Sequence, residues 1–313
     1  MLVLARWSLQ GLPQALGAMI LFGGLGMLIG PLFHGLGGAI ALLYALQRGL
    51  RSAMQLVALA MGWFVLIDWL VFGGLHQASL LAALTWLPMP LLALAIQRGD
   101  ALQYGLYGAS ALAALAVMLV FVIMGDPAPW WEKTLTTQLQ AAQLQGEAFN
   151  ELLQELDIDP ASLAALVAPW ISSVLAGCWA VLLTLSALLA RAWQAGLMHP
   201  GSFRAEFLGL HHGVMLTILL GLCALLGVVS PFFLALCGPL AVLFFFQGLA
   251  VVHAMASLLR SGGMWLALFY VLLIFMLPQV VIVLIMLGCL DNFVGFRKKA
   301  GQQQANKPDD SGP

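Results

Sequence analysis

Long apolar runs, separated by short polar or glycine-proline stretches, set the plan of this chain. They cover residues 11–30, 32–47, 53–72, 79–96, 102–124, 165–190, 213–229, 232–259 and 264–290. Most of them reach or approach the ~20 residues that carry a helix across a bilayer at about 1.5 Å per residue. The pattern predicts an all-α fold, a polytopic transmembrane helical bundle of about 8–10 membrane segments, some of them short or re-entrant. The first two runs part at Gly30-Pro31. The last run, residues 264–290, is either one long tilted helix or two short ones divided at Pro278.

The placement of positive charge selects between these alternatives. With Arg6 in the cytoplasm, alternation of the spans brings Arg48, Arg51, Arg98, Arg191, Arg204 and Arg260 to the same side and leaves Lys133 outside. A single crossing at 264–290 would export Arg297, Lys298 and Lys299, whereas a hairpin at Pro278 returns them. An even number of crossings, roughly ten, therefore fits the bias. Both termini are then cytoplasmic in a bacterial inner membrane. Residues 1–299 read as a single integral-membrane domain, and 300–313 have the polar composition of a disordered cytoplasmic tail. Trp7, Trp130, Trp131, Trp193 and Trp265 lie near span ends, where an aromatic belt is expected.

The one substantial polar segment, residues 125–164, is acidic, with Asp126, Glu132, Glu147, Glu151, Glu155, Asp157 and Asp159 against Lys133. Leu135, Leu139, Phe149, Leu152, Leu153 and Leu156 recur there at roughly helical spacing, which predicts one or two amphipathic helices outside the membrane. Composition narrows the function classes. With 62% hydrophobic and 8% charged residues, the chain lies far from water-soluble domains. A net charge of -1 with 12 Lys and Arg supplies no basic face for nucleic acid. Cys178, Cys223, Cys237 and Cys289 fall inside apolar runs without a Cys-x-x-Cys spacing, so no disulfide framework or zinc site is expected. The adjacent His211 and His212 find no carboxylate or cysteine at metal-ligand spacing. Neither a phosphate-binding Gly-x-x-x-x-Gly-Lys-Ser/Thr loop, nor His-Glu-x-x-His, nor Gly-x-Ser-x-Gly occurs, so neither a cofactor nor catalysis is expected.

Candidate chemistry therefore rests on polar residues within the spans, which are costly there and mark sites or interhelical bonds. Phe244-Phe245-Phe246-Gln247-Gly248-Leu249-Ala250-Val251-Val252-His253 sets an amide and an imidazole into an apolar run. On a helix Gln247 and His253 stand ~120° apart, whereas Phe246 and His253 share a face. Pro239 upstream favours a kink. Asp68, near the end of its run, is a candidate proton or cation ligand. Gln247, His253, Asp68 and Phe246 are accordingly the candidate ligand-binding residues. Small residues supply candidate packing or partner faces: Gly26 and Gly30 in a GxxxG spacing, Ala101, Gly105, Ala109 and Ala113 in one ridge, and Gly209, Gly213, Thr217 and Gly221 in another. Asp291 and Arg297 stand six residues apart at the membrane edge and join these candidates.

Gln247-Gly248-Leu249-Ala250 with His253, and Gly288-x-x-Asp291 with Phe296-Arg297, give the chain a family likeness. It resembles the YybS-like family of uncharacterised bacterial polytopic membrane proteins. That family is distantly similar to the substrate-binding components of energy-coupling-factor vitamin transporters and to the rod-shape membrane protein MreD. The long acidic segment and the larger number of spans depart from those components. The resemblance implies a transport-like component that binds a small molecule within its helical bundle, contacting the lipid bilayer and membrane or cytoplasmic protein partners. A non-transport membrane scaffold that recruits partner proteins is the alternative.

Overall fold

The computed structural model describes residues 2–145, 159–259 and 261–297, together with Glu151 and Glu155. Among these residues every regular element is a helix. Six helices are long and apolar enough to cross a membrane, and seven if the bent pair Ser202–Leu208 and Gly213–Gly227 forms one span. Leu12–Leu28 and Gly262–Phe275 are shorter apolar helices. The chain is thus an all-α polytopic bundle.

The described chain forms two compact units. The first comprises Met1–Ala109, Val181–Thr217 and Val242–Pro313, the second Ser110–Ala180 and Ile218–Ala241. In the first unit, α1 (Leu2–Ser8) and α2 (Leu12–Leu28) lead to α3 (Leu32–Arg48), which is buried without interruption from Gly37 to Ala45. A helix apolar on all sides belongs at the centre of a bundle. The indole nitrogen of Trp86 donates to the carbonyl of His34 at 2.9 Å, and Ser186 Oγ donates to that of Gly35 at 2.9 Å, fixing two neighbours against α3. Gly26 on α2 leaves room for the His34 ring, whereas Gly30 sits in the turn with open space around it. Only half of the GxxxG spacing is a packing contact.

Around α3 stand α4 (Leu50–Phe72), α5 (Gln77–Trp86) and α6 (Met89–Gly99). The predicted 79–96 run is one candidate span, Ser79–Gly99, with a turn at Leu87-Pro88 between α5 and α6, where Pro88 caps α6. α7 (Leu102–Met124) spans the predicted run, and Gly105 near its start packs against Ile96 and Ala187.

In the second unit, α8 (Ala128–Gln145) follows Asp126, whose carboxylate accepts from the Ala128 amide at 2.9 Å. Trp131 donates to Ser172 Oγ at 3.2 Å and so ties α8 to α9 (Pro160–Met198). Asp159 caps α9, accepting from the Ser162 amide at 3.0 Å, and these bonds hold its carboxyl below the usual range. Of the predicted amphipathic segment, Phe149, Leu152, Leu153 and Leu156 lie outside the described residues, as do Arg260, Lys298, Lys299 and the tail from 300 to 313. Trp193 does not join an interfacial belt: it is 2% exposed within α9.

Past α9 the chain continues as α10 (Ser202–Leu208), α11 (Gly213–Gly227), α12 (Pro231–Ala256), α13 (Gly262–Phe275) and α14 (Leu277–Val294). The expected division of the last apolar run falls at Met276, not at Pro278. Pro278 instead occupies the first turn of α14, where its missing N–H would have had no partner in any case. The two parts have 14 and 18 residues, so the second is long enough to cross on its own. Pro239 lies inside α12, and in the second unit its carbonyl accepts from Ser110 Oγ at 2.6 Å.

Candidate functional site

The geometry of the first unit is set by a close crossing of α12 and α14. A β-carbon added to Gly248 would meet the Leu284 carbonyl oxygen at 2.0 Å, and one added to Gly288 would meet that of Phe244 at 2.1 Å. Only glycine fits on both helices at such an approach. The crossing brings together two sequence motifs some forty residues apart, and the residue beside each glycine turn becomes a partner of the other. Gln247 Nε2 donates to Asn292 Oδ1 at 2.9 Å and to Asp291 Oδ2 at 3.2 Å.

The same residues reach the gap between α10 and α11, where the two helices are bent by 53°. The gap leaves the Leu208 and Leu210 carbonyls and the His212 and Gly213 amides to be bonded from outside the helix pair, as an apolar surrounding requires. Gln247 Oε1 accepts from the His212 amide at 3.1 Å, and Asn292 Oδ1 accepts from the Gly213 amide at 3.1 Å. Asn292 Nδ2 donates to Thr217 Oγ1 at 2.8 Å. Gly295, at φ +64, ends α14 in the left-handed conformation and turns the chain back. Arg297 then donates to Asp291 Oδ2 at 2.7 Å, to the Leu210 carbonyl at 2.8 Å, and to the Leu208 carbonyl. Gln247 is 0% and Asp291 2% exposed, so this is a buried, charge-containing network. Asp291 Oδ1 has no hydrogen-bond partner among the described residues. The ring of His212 is held edge-on between Tyr107 and Phe244, with centroids at 5.3 and 6.0 Å.

Beside the network lies a cleft of about 710 Å³, whose lining includes Leu188, Phe203, Arg204, Phe207, Phe246 and His253. Its volume is that of small-molecule sites, roughly 300–1,000 Å³. His253 Nδ1 bonds the Leu249 carbonyl at 2.9 Å, and Tyr270 bonds Nε2 at 3.2 Å. With Nδ1–H donating to the carbonyl, Nε2 is left to accept from the tyrosine. One wall of the cleft is α10, the short arm of the bent pair, and the base of that arm is where Arg297 is bonded.

The predicted candidates thus separate. Phe246 and His253 share the cleft, one helical face apart from Gln247, which belongs to the network with Asp291 and Arg297. Asp68 is elsewhere in the unit. It is fully buried, and its Oδ2 accepts from the His76 amide at 2.8 Å across the turn after α4. Gly209 and Gly213 do not continue a ridge with Thr217, because the chain is bent between them and Gly213 has φ +80. Gly221 faces open space. Ala109 and Ala113 are buried, as the first ridge requires. His211 is exposed and His212 buried, so the adjacent pair diverges, and no cluster of metal-ligating side chains occurs among the described residues.

Sequence reasoning missed Asn292, Arg204, Phe203 and Phe207. Asn292 carried a signal, an amide next to Asp291 at the end of an apolar run. The cleft residues belong to a seven-residue helix whose pattern resembles an ordinary loop. No protein-family model, curated protein or solved structure matches the chain.

Proposed function

We propose that this multi-pass membrane protein is a transport-like component that binds a small molecule in the cleft beside α10. The observation that carries this reading is the bent helix pair. A helix interrupted at a polar network, with its short arm forming the wall of a cavity, is how membrane proteins build ligand sites without leaving backbone groups unpaired in hydrocarbon. Phe246 and the apolar side chains of α10 supply contact area, and His253 and Arg204 supply polarity. The network of Gln247, Asp291, Asn292 and Arg297 positions the short arm. Its role is binding and conformational change rather than catalysis.

The likeness to the YybS-like family that we propose rests on the sequence motifs Gln247-Gly248-Leu249-Ala250 with His253 and Gly288-x-x-Asp291 with Phe296-Arg297. A bacterial cytoplasmic membrane, with both termini in the cytoplasm, is the setting we propose on the positive-charge bias of the loops.

The test is native mass spectrometry of the protein released gently from its own membranes, beside Leu188→Trp, which fills the cleft. A small-molecule adduct is expected on the wild type and is expected to be missing from a variant that still elutes as one folded species. A ligand-free wild type that carries a stoichiometric protein partner, retained by Leu188→Trp, would overturn this reading in favour of a scaffold.

A further inference from the structure

The cleft carries a positive charge, the exposed guanidinium of Arg204, that no described residue neutralises. Arg191 is paired with Glu206, NH2 to Oε1 at 2.7 Å and Nε to Oε2 at 2.9 Å, and Arg297 is paired with Asp291. Arg204, two residues before Glu206 on α10, has neither an ion-pair nor a hydrogen-bond partner among the described residues. Glu206 cannot serve it easily, because its Oε2 also accepts from the Leu102 amide at 3.3 Å and both oxygens are engaged. No carboxylate lines the cleft among the described residues.

The other polar side chains of the lining have already committed their hydrogens. Ser257 Oγ donates to the Ala254 carbonyl at 2.7 Å, and the His253 Nδ1–H is taken by Leu249. Arg204 is left as the donor available to a ligand, with a planar fork that matches phosphate oxygens. Around it stand Leu185, Leu188, Phe203, Phe207 and Phe246.

We infer that the cleft holds an anionic phospholipid, with Arg204 pairing the headgroup phosphate and the leucine and phenylalanine walls covering the upper acyl chains. The inference rests on the reading of the cleft as a ligand site and names the ligand class. Among the described residues a free phosphate would meet apolar walls and one cation, too few donors to replace its hydration. A choline headgroup would bring a second positive charge to a cleft without a carboxylate. A lipid with a phosphate and no compensating cation is complementary to both the charge and the apolar walls, and it reaches the cleft from the bilayer.

The test is native mass spectrometry of the full chain in detergent, titrated separately with dioleoylphosphatidylglycerol, dioleoylphosphatidylcholine and inorganic phosphate. Arg204→Gln, Arg204→Lys and Leu188→Trp are compared with Arg98→Gln, a charge loss away from the cleft. One phosphatidylglycerol is expected to bind in preference to phosphatidylcholine. Arg204→Gln is expected to weaken it about fivefold, the usual weight of one basic residue at an anionic lipid surface. Arg204→Lys is expected to recover part of that loss, and Arg98→Gln to change nothing. Undiminished phosphatidylglycerol binding by Arg204→Gln, or displacement of the lipid by equimolar inorganic phosphate, would overturn the inference. If Leu188→Trp expels both lipids while Arg204→Gln affects neither, the headgroup assignment fails and the cleft remains a ligand site. If Leu188→Trp expels neither, the cleft reading fails as well.

Discussion

Arg297 spends its guanidinium on Asp291 and on the carbonyls of Leu208 and Leu210, and this one side chain ties the end of α14 to the gap before α11. Its ion pair is only slightly open to solvent, at 18% and 2% exposure of the two side chains. Removing one member of such a pair costs far more than the pair contributes, because the remaining charge stays buried without compensation. Arg297→Ala is therefore expected to destabilise the protein by ~3–5 kcal/mol. Asp291→Asn in the same chain should restore part of the loss, because the orphaned charge is gone. Unfolding in a graded mixture of denaturing and mild detergent measures both, and an Arg297→Ala protein as stable as wild type would refute the role assigned to the pair. Gln247 was legible in the sequence because an amide inside an apolar run is costly. Its partners were not, because periodicity gives the face of a helix and not the helix that lies against it.

At the scale of elements, spans such as Leu102–Met124 follow directly from apolar length. Breaks are harder to read. Pro278 marked a division, yet the helix stops at Met276 because a proline suits the first turn of the next helix better than the last turn of the one before. The spacing of four from Gly209 to Gly221 suggested a ridge only on the premise of a continuous helix, and the bend at residues 209–212 removes that premise. Glycines that do bring helices together include Gly248 and Gly288, each facing a backbone carbonyl. Gly288→Ala must push α12 and α14 apart, and overpacking of this kind typically costs ~1–3 kcal/mol. Gly221→Ala, where the added methyl meets nothing within 4 Å, should be neutral or stabilising by up to ~1 kcal/mol. Thermal unfolding in detergent separates the two, and equal behaviour of the variants would contradict the crossing.

For the whole molecule, composition alone gave the class. Leu28, Val122 and Phe275 are more than four-fifths exposed, at 84%, 81% and 83%, a surface suited to lipid and not to water. The orientation we propose rests on the loop charges, and on it the acidic segment after α7 is expected to face away from the cytoplasm. Alkaline phosphatase fused after Gln145 is expected to be active, and a fusion after Pro313 inactive. The reverse pattern would invert the proposed topology. What the sequence left illegible at this scale was the cleft, because its walls come from α9, α10, α12 and α13, and its charge balance depends on which acid pairs with which arginine.

The network at the bent helix also has an order in time. A membrane chain emerges from the ribosome amino end first, and α10 and α11 are made some eighty residues before Asp291, Asn292 and Arg297. Until those residues exist, the carbonyls of Leu208 and Leu210 and the amide of Gly213 lack the partners they have in the finished fold. The nascent protein can insert its earlier helices, but it cannot close the joint between α10 and α11. The joint between α10 and α11, whose short arm walls the cleft, thus reaches its final bonding only when synthesis has passed Arg297.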